Sequence, residues 1–282
     1  MMKKITLYLL SIMLLCSPAL LKAQITAETP VDGLYKDEGI IHKTPIPLPS
    51  VRKADIMWSK RIWREIDFRQ KMNQEFYYPI VPHQNWKSFI TIILDALKQG
   101  KITAYDISPT DELLVPITYQ EIMARQTDTI HRVMKRPNPP YNEYDTTIVT
   151  QFDPTKVMRL RIKEDWYFDK QRSQMLVRIE ALCPVMMTEH DGQLVPTPLF
   201  WISYPQARKV LAQALAFNPE NSAMRLSYDD IFIKRLFDSY IYKEQNQYDR
   251  RISDYETGVN ALLEAQHIQQ QMFDFEEYLW QY

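Results

Sequence analysis

The segment 163-KEDWYFDKQRSQ-174 brings together the residue types that come nearest to a catalytic group in this chain. It holds three carboxylates and three adjacent aromatic side chains: Glu164, Asp165, Asp169, Trp166, Tyr167 and Phe168. A carboxylate pair beside aromatic rings is the composition of a glycosidase cleft, where one carboxyl is the acid and the other the nucleophile or base. Any acidic hairpin loop has the same composition. A carboxylate-dependent enzyme is therefore kept only as an alternative.

Other catalytic and metal-binding patterns are absent from the sequence. The histidines lie at scattered positions and form no HxxxH pair: His42, His83, His131, His190 and His267. Cys183 is followed by proline in an apolar segment, which favours a buried small hydrophobic residue over a nucleophile. No G-x-S-x-G elbow occurs, and the 5 glycines are too far apart for a phosphate-binding loop. The sequence predicts no enzyme, no cofactor and no metal.

Composition and charge narrow the partner classes. The 282 residues are 45% hydrophobic and 24% charged, which is typical of a globular protein with a sizeable core. The formal net charge of −1 provides no general attraction for nucleic acid or an anionic membrane. Aromatic residues make up 12% of the chain. We therefore predict no nucleic-acid partner.

The first 23 residues have the pattern of a secretory signal peptide. Lys3 and Lys4 precede an apolar run over 5–15, and 21-LKA-23 ends in the small residue Ala23, after which cleavage is predicted. The run is too short to favour a membrane-spanning helix, so no transmembrane segment is predicted in the mature chain. A lipoprotein signal at Cys16 is the less favoured reading, because a leucine precedes that cysteine.

Residues 24–50 form a proline-rich arm before the predicted domain. Four prolines, two glycines and scattered charges leave this segment little apolar surface to bury. We predict an extended conformation. The sequence favours a disordered leader, and the alternative is a strap that lies on a neighbouring subunit. Residues 51–282 are predicted to form a single domain.

The stretch 55-DIMWSKRIWREIDFRQKMN-73 is predicted to lie on a helix that begins after Ser50. Apolar residues fall on one stripe at 100° per residue: Val51, Ala54, Trp58, Ile62, Ile66, Met72 and Phe76. Trp63 and Ile56 fall on a different flank, which implies a second neighbour. That neighbour is either the protein's own core or a partner chain. Arg61 and Arg64 can pack around such aromatic patches.

The centre of the chain shows the period-two alternation of strands. In 157-VMRLRIK-163 apolar residues alternate with arginine and lysine, and 175-MLVRIEAL-182 supplies a matching apolar face. These segments predict a hairpin around 157–182, joined by a long aromatic connection over 164–174. A third strand is predicted at 199–203. One charged face on each strand favours antiparallel pairing.

Helices are predicted before and after these strands along the sequence. A helix over 85–98 ends near Gly100, and a short strand follows at 102–105. A polar helix at 121–127 precedes a proline-rich loop at 136–145. The last third is predicted to be helical, over 205–217, 228–245 and 253–280, with Ser227 and Asp230 forming a capping box. The fold class predicted from the sequence is α+β.

Several strings, in order and spacing, resemble the GldN/PorN family of the type IX secretion and gliding machinery of Bacteroidota. They are 51-VRKADIMWSKRIWREIDFRQKMNQEFYYP-79, 98-KQGKITAYD-106, 163-KEDWYFDKQRSQMLVRIEALCPV-185, 199-LFWISYPQAR-208 and 229-DDIFIKRLFDSYIYKEQNQYDRRI-252. The resemblance covers roughly residues 50 to 280 and is specific, since long strings agree. The chain lacks the long C-terminal extension of some members, which puts functions lodged there in doubt.

The resemblance implies a non-enzymatic structural subunit of the periplasm. Family members assemble with a GldK/PorK lipoprotein into a ring at the inner face of the outer membrane, and that ring is thought to meet the GldM/PorM motor subunit. Self-association or alternation of subunits within the ring is implied as well. The alternative class is a periplasmic enzyme or a protein that binds small ligands or peptides.

A subunit of this kind needs surfaces rich in aromatic and arginine side chains, the types that carry interface energy. The residues predicted to form a partner interface are Trp63, Ile56, Arg61, Arg64, Trp166, Tyr167 and Phe168. On the predicted helix, Trp58 packs inside and Trp63 lies at or near the partner surface. Replacement of Trp63 is then expected to leave the monomer folded.

Overall fold

Strands dominate the first two thirds of the chain, and a long helix closes it. The computed structural model describes residues 40, 42–83, 86–108, 110–135, 143–150, 152–190, 192–218, 221 and 224–280. The strands are β1 Ile56–Asp67, β2 Ala104–Tyr105, β3 Pro116–Ile117, β4 Asp128–Lys135, β5 Glu143–Thr150, β6 Val157–Asp169, β7 Gln174–His190, β8 Gln193–Pro198, β9 Trp201–Ser203 and β10 Tyr240–Glu244. The helices are α1 Gln74–Tyr77, α2 Phe89–Lys98, α3 Tyr119–Gln126, α4 Tyr204–Ala212, α5 Tyr228–Lys234 and α6 Val259–Trp280.

Eight of these strands form one antiparallel sheet in the order β10-β1-β6-β7-β9-β2-β3, with β8 also paired to β7. Strands β4 and β5 form a separate two-stranded sheet. The antiparallel sheet with helices before and after it confirms the α+β prediction, the hairpin around 157–182 and the strand near 199–203. The hairpin is longer than predicted, because the aromatic segment continues β6 and the turn is confined to residues 170–173.

The predicted helix over 51–76 is wrong: residues 56–67 form strand β1, paired with β6 on one side and β10 on the other. Ala54, Trp58, Ile62 and Ile66 repeat every four residues. Four residues are close to one helical turn and equal two full repeats of a strand, so this spacing fits both structures. The long β6 and β10 partners decide in favour of the strand.

The predicted helix over 228–245 is correct only at its start. Helix α5 begins with the predicted capping box, in which Ser227 and Asp230 satisfy each other's backbone N–H groups. It ends at Lys234 because Arg235 adopts the left-handed conformation with φ 54°. The chain then turns back to form edge strand β10. Ile241 therefore reaches the core from a strand.

The remaining predicted elements lie close to their observed bounds. Helix α2 ends before Gly100, which has φ 67° as the helix stop requires, and β2 follows at once. Helices α3, α4 and α6 match the predicted segments 121–127, 205–217 and 253–280, although α4 is shorter and α6 begins later. The predicted signal peptide and residues 24–39 of the predicted arm lie outside the described residues. So do residues 136–142 of the predicted loop.

Two apolar clusters hold the helices on one face of the sheet. Phe232 contacts the rings of Phe76, Phe89 and Tyr204, and Tyr228 contacts Phe76 and Phe89, through edge-to-face and tilted arrangements with ring centroids 5.5–6.0 Å apart. Helix α6 makes a second cluster, in which Ala265, Ile268 and Met272 pack on a group from the sheet and the following turn: Ile62, Trp166, Ile241 and Ile252. Within the described residues no helix has the length and apolar content needed to cross a membrane.

The described end of the predicted arm lies along its own domain. Lys43 pairs with Ser227 and Asp230 at the start of α5. The carbonyl of Ile46 accepts a bond of 2.6 Å from Arg208, and the carbonyl of Pro49 accepts one of 2.8 Å from Arg178. These bonds fix residues 43–49 on the domain that contains them.

Candidate partner interface

Strands β1 and β6 have two chemically different faces. Residues directly opposite each other in an antiparallel pair project to the same side of the sheet. One side, which we call the core face, carries Trp58, Lys60, Ile62, Arg64 and Ile66 from β1 and Leu160, Ile162, Glu164, Trp166 and Phe168 from β6. The other, which we call the polar face, carries Ser59, Arg61, Trp63, Glu65 and Asp67 from β1 and Arg159, Arg161, Lys163, Asp165 and Tyr167 from β6.

The basic row of the polar face is paired with carboxylates from the neighbouring strand. Arg61 binds Asp165 through two bonds of 2.6 and 2.8 Å. Glu65 accepts bonds from Arg159 at 2.6 Å, Arg161 at 2.9 Å and the hydroxyl of Tyr240 at 2.5 Å. Burial by itself would raise the pKa of Glu65, but the bond from Tyr240 and the two guanidinium charges outweigh burial and lower that pKa.

This pairing predicts a loss of stability in acid. Because the pKa of Glu65 is lowered in the folded state, its contribution is complete above the ordinary glutamate pKa of about 4.3 and is lost as the pH falls through the lower folded value. We expect the free energy of unfolding to fall less steeply with acidification below about pH 4.3 in Glu65→Gln than in the unmodified protein. Urea unfolding at a series of pH values measures this. Equal slopes would contradict the assignment.

Trp63 occupies the middle of the polar face and is 5% exposed. Its Nε1 donates to the carboxylate of Asp111 at 2.5 Å, and the ammonium of Lys243 lies 4.5 Å from the ring centroid. Lys163 donates to the carbonyl of Asp111 at 2.7 Å. The ring packs with Cys183 and Trp201. The expectation that Trp63 faces outward is therefore corrected: Asp111 and its described neighbours, together with β10, cover it.

A buried ion cluster interrupts the core face. Glu164, which is 0% exposed, accepts a bond of 2.8 Å from Arg235 and one of 3.0 Å from the indole of Trp166. The Nε of Arg64 lies 3.4 Å from the same carboxylate. Both guanidinium groups also lie over the Trp166 ring, at 5.7 and 5.5 Å. Two cations thus share one carboxylate within the domain.

The three carboxylates singled out from the sequence do not converge. Glu164 lies on the core face, whereas Asp165 and Asp169 lie on the polar face and pair with Arg61 and Arg172. Four residues separate these two aspartates, about 13 Å along a strand, which exceeds the carboxyl spacings of both retaining and inverting glycosidases. In the described part of the chain no group of three histidine, cysteine or acidic side chains is placed to hold a metal.

Cys183 is 0% exposed. Burial raises the pKa of its thiol to about 12, so the sulfur stays protonated and unreactive at neutral pH. The predicted role of a buried small hydrophobic residue is confirmed.

A groove of about 430 Å³ opens at the end of the polar face. Three residues of the predicted interface line it, namely Ile56, Arg61 and Tyr167. A bulge between Ile56 and Trp58 places Ile56 opposite Asp169, on the same side as Tyr167. Five charged or polar residues also line the groove: Lys60, Asp165, Arg178, Glu180 and Gln245. Burial, reinforced by the nearby charge of Asp165, raises the pKa of Glu180.

The structure divides the predicted interface residues into three sets. Arg64, Trp166 and Phe168 lie on the core face and are 5–8% exposed. Trp63 and Tyr167 are buried on the polar face. Ile56 and Arg61 keep accessible surface at the groove. No observation tests whether a partner binds there, so the interface stays a prediction, now centred on these two residues.

Sequence reasoning missed another set of exposed side chains. Tyr248 and Tyr255, 72% and 42% exposed, flank the guanidinium of Arg250 at 4.5 and 5.8 Å. Helix α6 exposes Val259, Leu262 and Leu263 by more than half each. The available signal was in α6 itself, because its apolar residues fall on two opposite sides when plotted at 100° per residue.

A family model described as gliding motility associated protein GldN matches residues 51–281. The chain belongs to the GldN family. The match begins five residues before β1 and runs one residue past α6, so it includes every strand and helix of the described domain. GldN-family membership makes this chain a component of the gliding motility and type IX secretion machinery. No curated protein matches the sequence.

Proposed function

We propose that this GldN-family chain is a non-enzymatic structural subunit of the periplasm. It assembles with a GldK/PorK-like lipoprotein into a ring at the inner face of the outer membrane, and the ring meets a GldM/PorM-like motor subunit. The observation that carries the proposal is the family match over residues 51–281, which spans the sheet and its helices together. The partners and the ring come from the resemblance to the GldN/PorN family.

The distribution of exposed apolar side chains supports a subunit with several neighbours. A ring subunit needs two lateral surfaces and a further surface for a different partner. Large apolar residues are exposed at several separate places among the described residues, including Tyr78, Ile80 and Val81 after α1, Leu114 and Val115 before β3, Leu194 and Val195 at the start of β8, and Val259, Leu262, Leu263, Phe273 and Tyr278 on α6. Clusters of exposed apolar side chains mark interaction surfaces.

The outer edge of β8 supports contacts made through side chains rather than by an added strand. The N–H of Leu199 bonds the carbonyl of Pro184 on β7. Backbone N–H groups of successive strand residues point to opposite edges. Since the N–H of Leu199 points toward β7, the backbone nitrogens of Leu194, Pro196 and Pro198 point away from it. Two of these three lack an N–H, and proline at such positions blocks strand addition. A peptide-binding role at this edge is disfavoured.

The groove offers a direct test of partner binding. We expect Arg61→Glu to weaken binding of the mature chain to the purified soluble part of the lipoprotein by about tenfold or more, equivalent to about 1.4 kcal/mol. The substitution reverses a charge on the groove wall and repels Asp165. Isothermal titration calorimetry measures the change in Kd.

The matched control is Arg69→Glu. Arg69 also pairs with an aspartate, Asp67 at 2.5 Å, but its side chain is 60% exposed and lies outside the groove. The control should bind within about threefold of the unmodified chain, a difference below about 1 kcal/mol. Equal affinity for Arg61→Glu and the unmodified chain would reject the groove as the interface. Failure of the unmodified chain to bind would reject the proposed partner.

A further inference from the structure

Helix α6 carries two apolar faces, and only one of them is covered. Ala265, Ile268 and Met272 are 2–4% exposed and pack on the sheet, while Phe275 lies 5.0 Å from the ring of Trp58. On the opposite side Val259, Leu263 and Phe273 are 71%, 56% and 46% exposed. At 100° per residue the centres of the two faces lie about 180° apart. A helix that only closed its own domain would need the first face alone.

The exposed face has the spacing of a helix-pairing seam. Its positions alternate by four and three residues, as in the a and d positions of a coiled coil: Val259, Leu263, Gln266, Gln270, Phe273 and Glu277. All six are exposed. We call these six residues the outer stripe.

The outer stripes of two α6 helices are complementary when the helices run antiparallel. A two-fold axis at position 268 places Leu263 opposite Phe273 and Gln266 opposite Gln270. The Nε2 of Gln270 already donates to Asp274 at 2.7 Å, so its carbonyl oxygen is the atom to accept from Gln266 of a second copy. Leucine against phenylalanine buries apolar area, and a polar pair at the centre fixes the register.

Charge selects the antiparallel orientation. Helix α6 contains four acidic residues and no lysine or arginine, and Asp274, Glu276 and Glu277 all lie in its last seven residues. A parallel pair would stack these carboxylates against each other. The antiparallel pair separates them and brings Glu277 to Val259 at the start of the partner helix, where the helix dipole favours a negative charge.

We propose that the outer stripe of α6 binds the outer stripe of α6 in a second copy of this chain, antiparallel and centred on position 268. One helix face belongs to the class of small interfaces, below about 1,200 Å² in total. We therefore expect dimerisation of the isolated chain at micromolar concentrations and a stronger contact where an assembly holds copies side by side. This inference does not depend on the identity of the other partners.

Disulfide trapping tests the pairing and its direction. Leu263→Cys and Phe273→Cys are made separately in differently tagged copies of the mature chain, whose Cys183 is buried. The mixture is then mildly oxidised. We expect the disulfide-linked dimer of Leu263→Cys with Phe273→Cys to be at least about fivefold more abundant than the disulfide-linked dimer of either variant with itself. As a control, Gln271→Cys replaces Phe273→Cys. Gln271 is exposed but lies about 160° around the helix from Phe273.

Sedimentation equilibrium supplies a second readout. Phe273→Asp should weaken self-association by tenfold or more, while Gln271→Asp should leave it unchanged. Three results would each overturn the proposal: a cross-linked heterodimer no more abundant than the control, a predominant disulfide between the cysteines introduced at position 263 of two copies, or a chain that stays monomeric at concentrations up to about 100 µM. Binding of the lipoprotein by Phe273→Asp is measured in parallel, so that failure of this pairing is distinguished from failure of the proposed function.

Discussion

Replacement of Glu164 by leucine is expected to lower the free energy of unfolding by about 3–5 kcal/mol. Glu164 is 0% exposed and is the carboxylate shared by Arg64 and Arg235. Its removal leaves two guanidinium groups near the Trp166 ring without their shared carboxylate, and Arg64, at 5% exposed, is the more buried of the two. An uncompensated buried charge costs far more than the pair contributed, because water cannot reach it.

Urea unfolding followed by tryptophan fluorescence measures this loss. Glu189→Leu is the control, since Glu189 lies on β7 in the same sheet and is exposed. Its replacement should change stability by no more than about 0.5 kcal/mol. If Glu164→Leu costs less than about 1 kcal/mol, the ion cluster is not closed to water and its assignment to the core face is wrong.

The second large effect is expected for Trp63→Ala, at about 3–5 kcal/mol. The indole fills the space beside Cys183 and Trp201, holds Asp111 of the covering loop and lies under Lys243 of β10. Its removal opens a cavity and also releases the loop and the edge strand from their common contact. Tyr248→Ala is the matched aromatic control, because Tyr248 is 72% exposed.

Thermal and urea unfolding of Trp63→Ala and Tyr248→Ala measure how much stability each aromatic side chain contributes. Stability of Trp63→Ala within about 1 kcal/mol of the unmodified protein would show that the side chain is free of the domain, as a purely external interface residue would be. This comparison also sets the condition for any binding assay on Trp63, because lost affinity in an unfolded variant carries no information about an interface.

The central hairpin could be predicted because its alternation is unambiguous. Arg159, Arg161 and Lys163 alternate with Leu160 and Ile162, and no helix places those apolar residues on one side. The capping box at Ser227 and the glycine stop at Gly100 could be predicted for a similar reason, since each depends only on neighbouring residues. These elements can be predicted without knowledge of tertiary contacts, because the residues that determine them are adjacent in the sequence.

Strand β1 could not be assigned from its own residues. The apolar repeat of Ala54, Trp58, Ile62 and Ile66 fits a helix and a strand equally, and the decision comes from β6 and β10, which pair with it from far along the chain. The end of α5 could not be predicted from local sequence either, because Arg235 adopts the left-handed conformation at a position where no glycine indicates a helix end. The mistaken helix then assigned Trp63 to an exposed flank.

Partner binding at the candidate interface stays a prediction, but the placement of its residues can be explained. Ile56, Arg61 and Tyr167 do line one groove, because opposite residues of an antiparallel pair share a face and a bulge returns Ile56 to that face. Arg64, Trp166 and Phe168 lie on the other side, since adjacent strand residues alternate. Enrichment in arginine and aromatic residues describes both an interface and a buried cation–π cluster. Only burial separates the two.

We propose that this chain acts by binding other proteins in a large periplasmic assembly. The most direct measurement is the mass and composition of the complex that a tagged chain carries when it is extracted from its own cells in mild detergent. We predict a membrane-associated assembly far larger than the 33.6 kDa chain, containing the GldK/PorK-like lipoprotein and several copies of this subunit. Recovery of the chain as a monomer in the soluble periplasmic fraction, without that lipoprotein, would contradict the account.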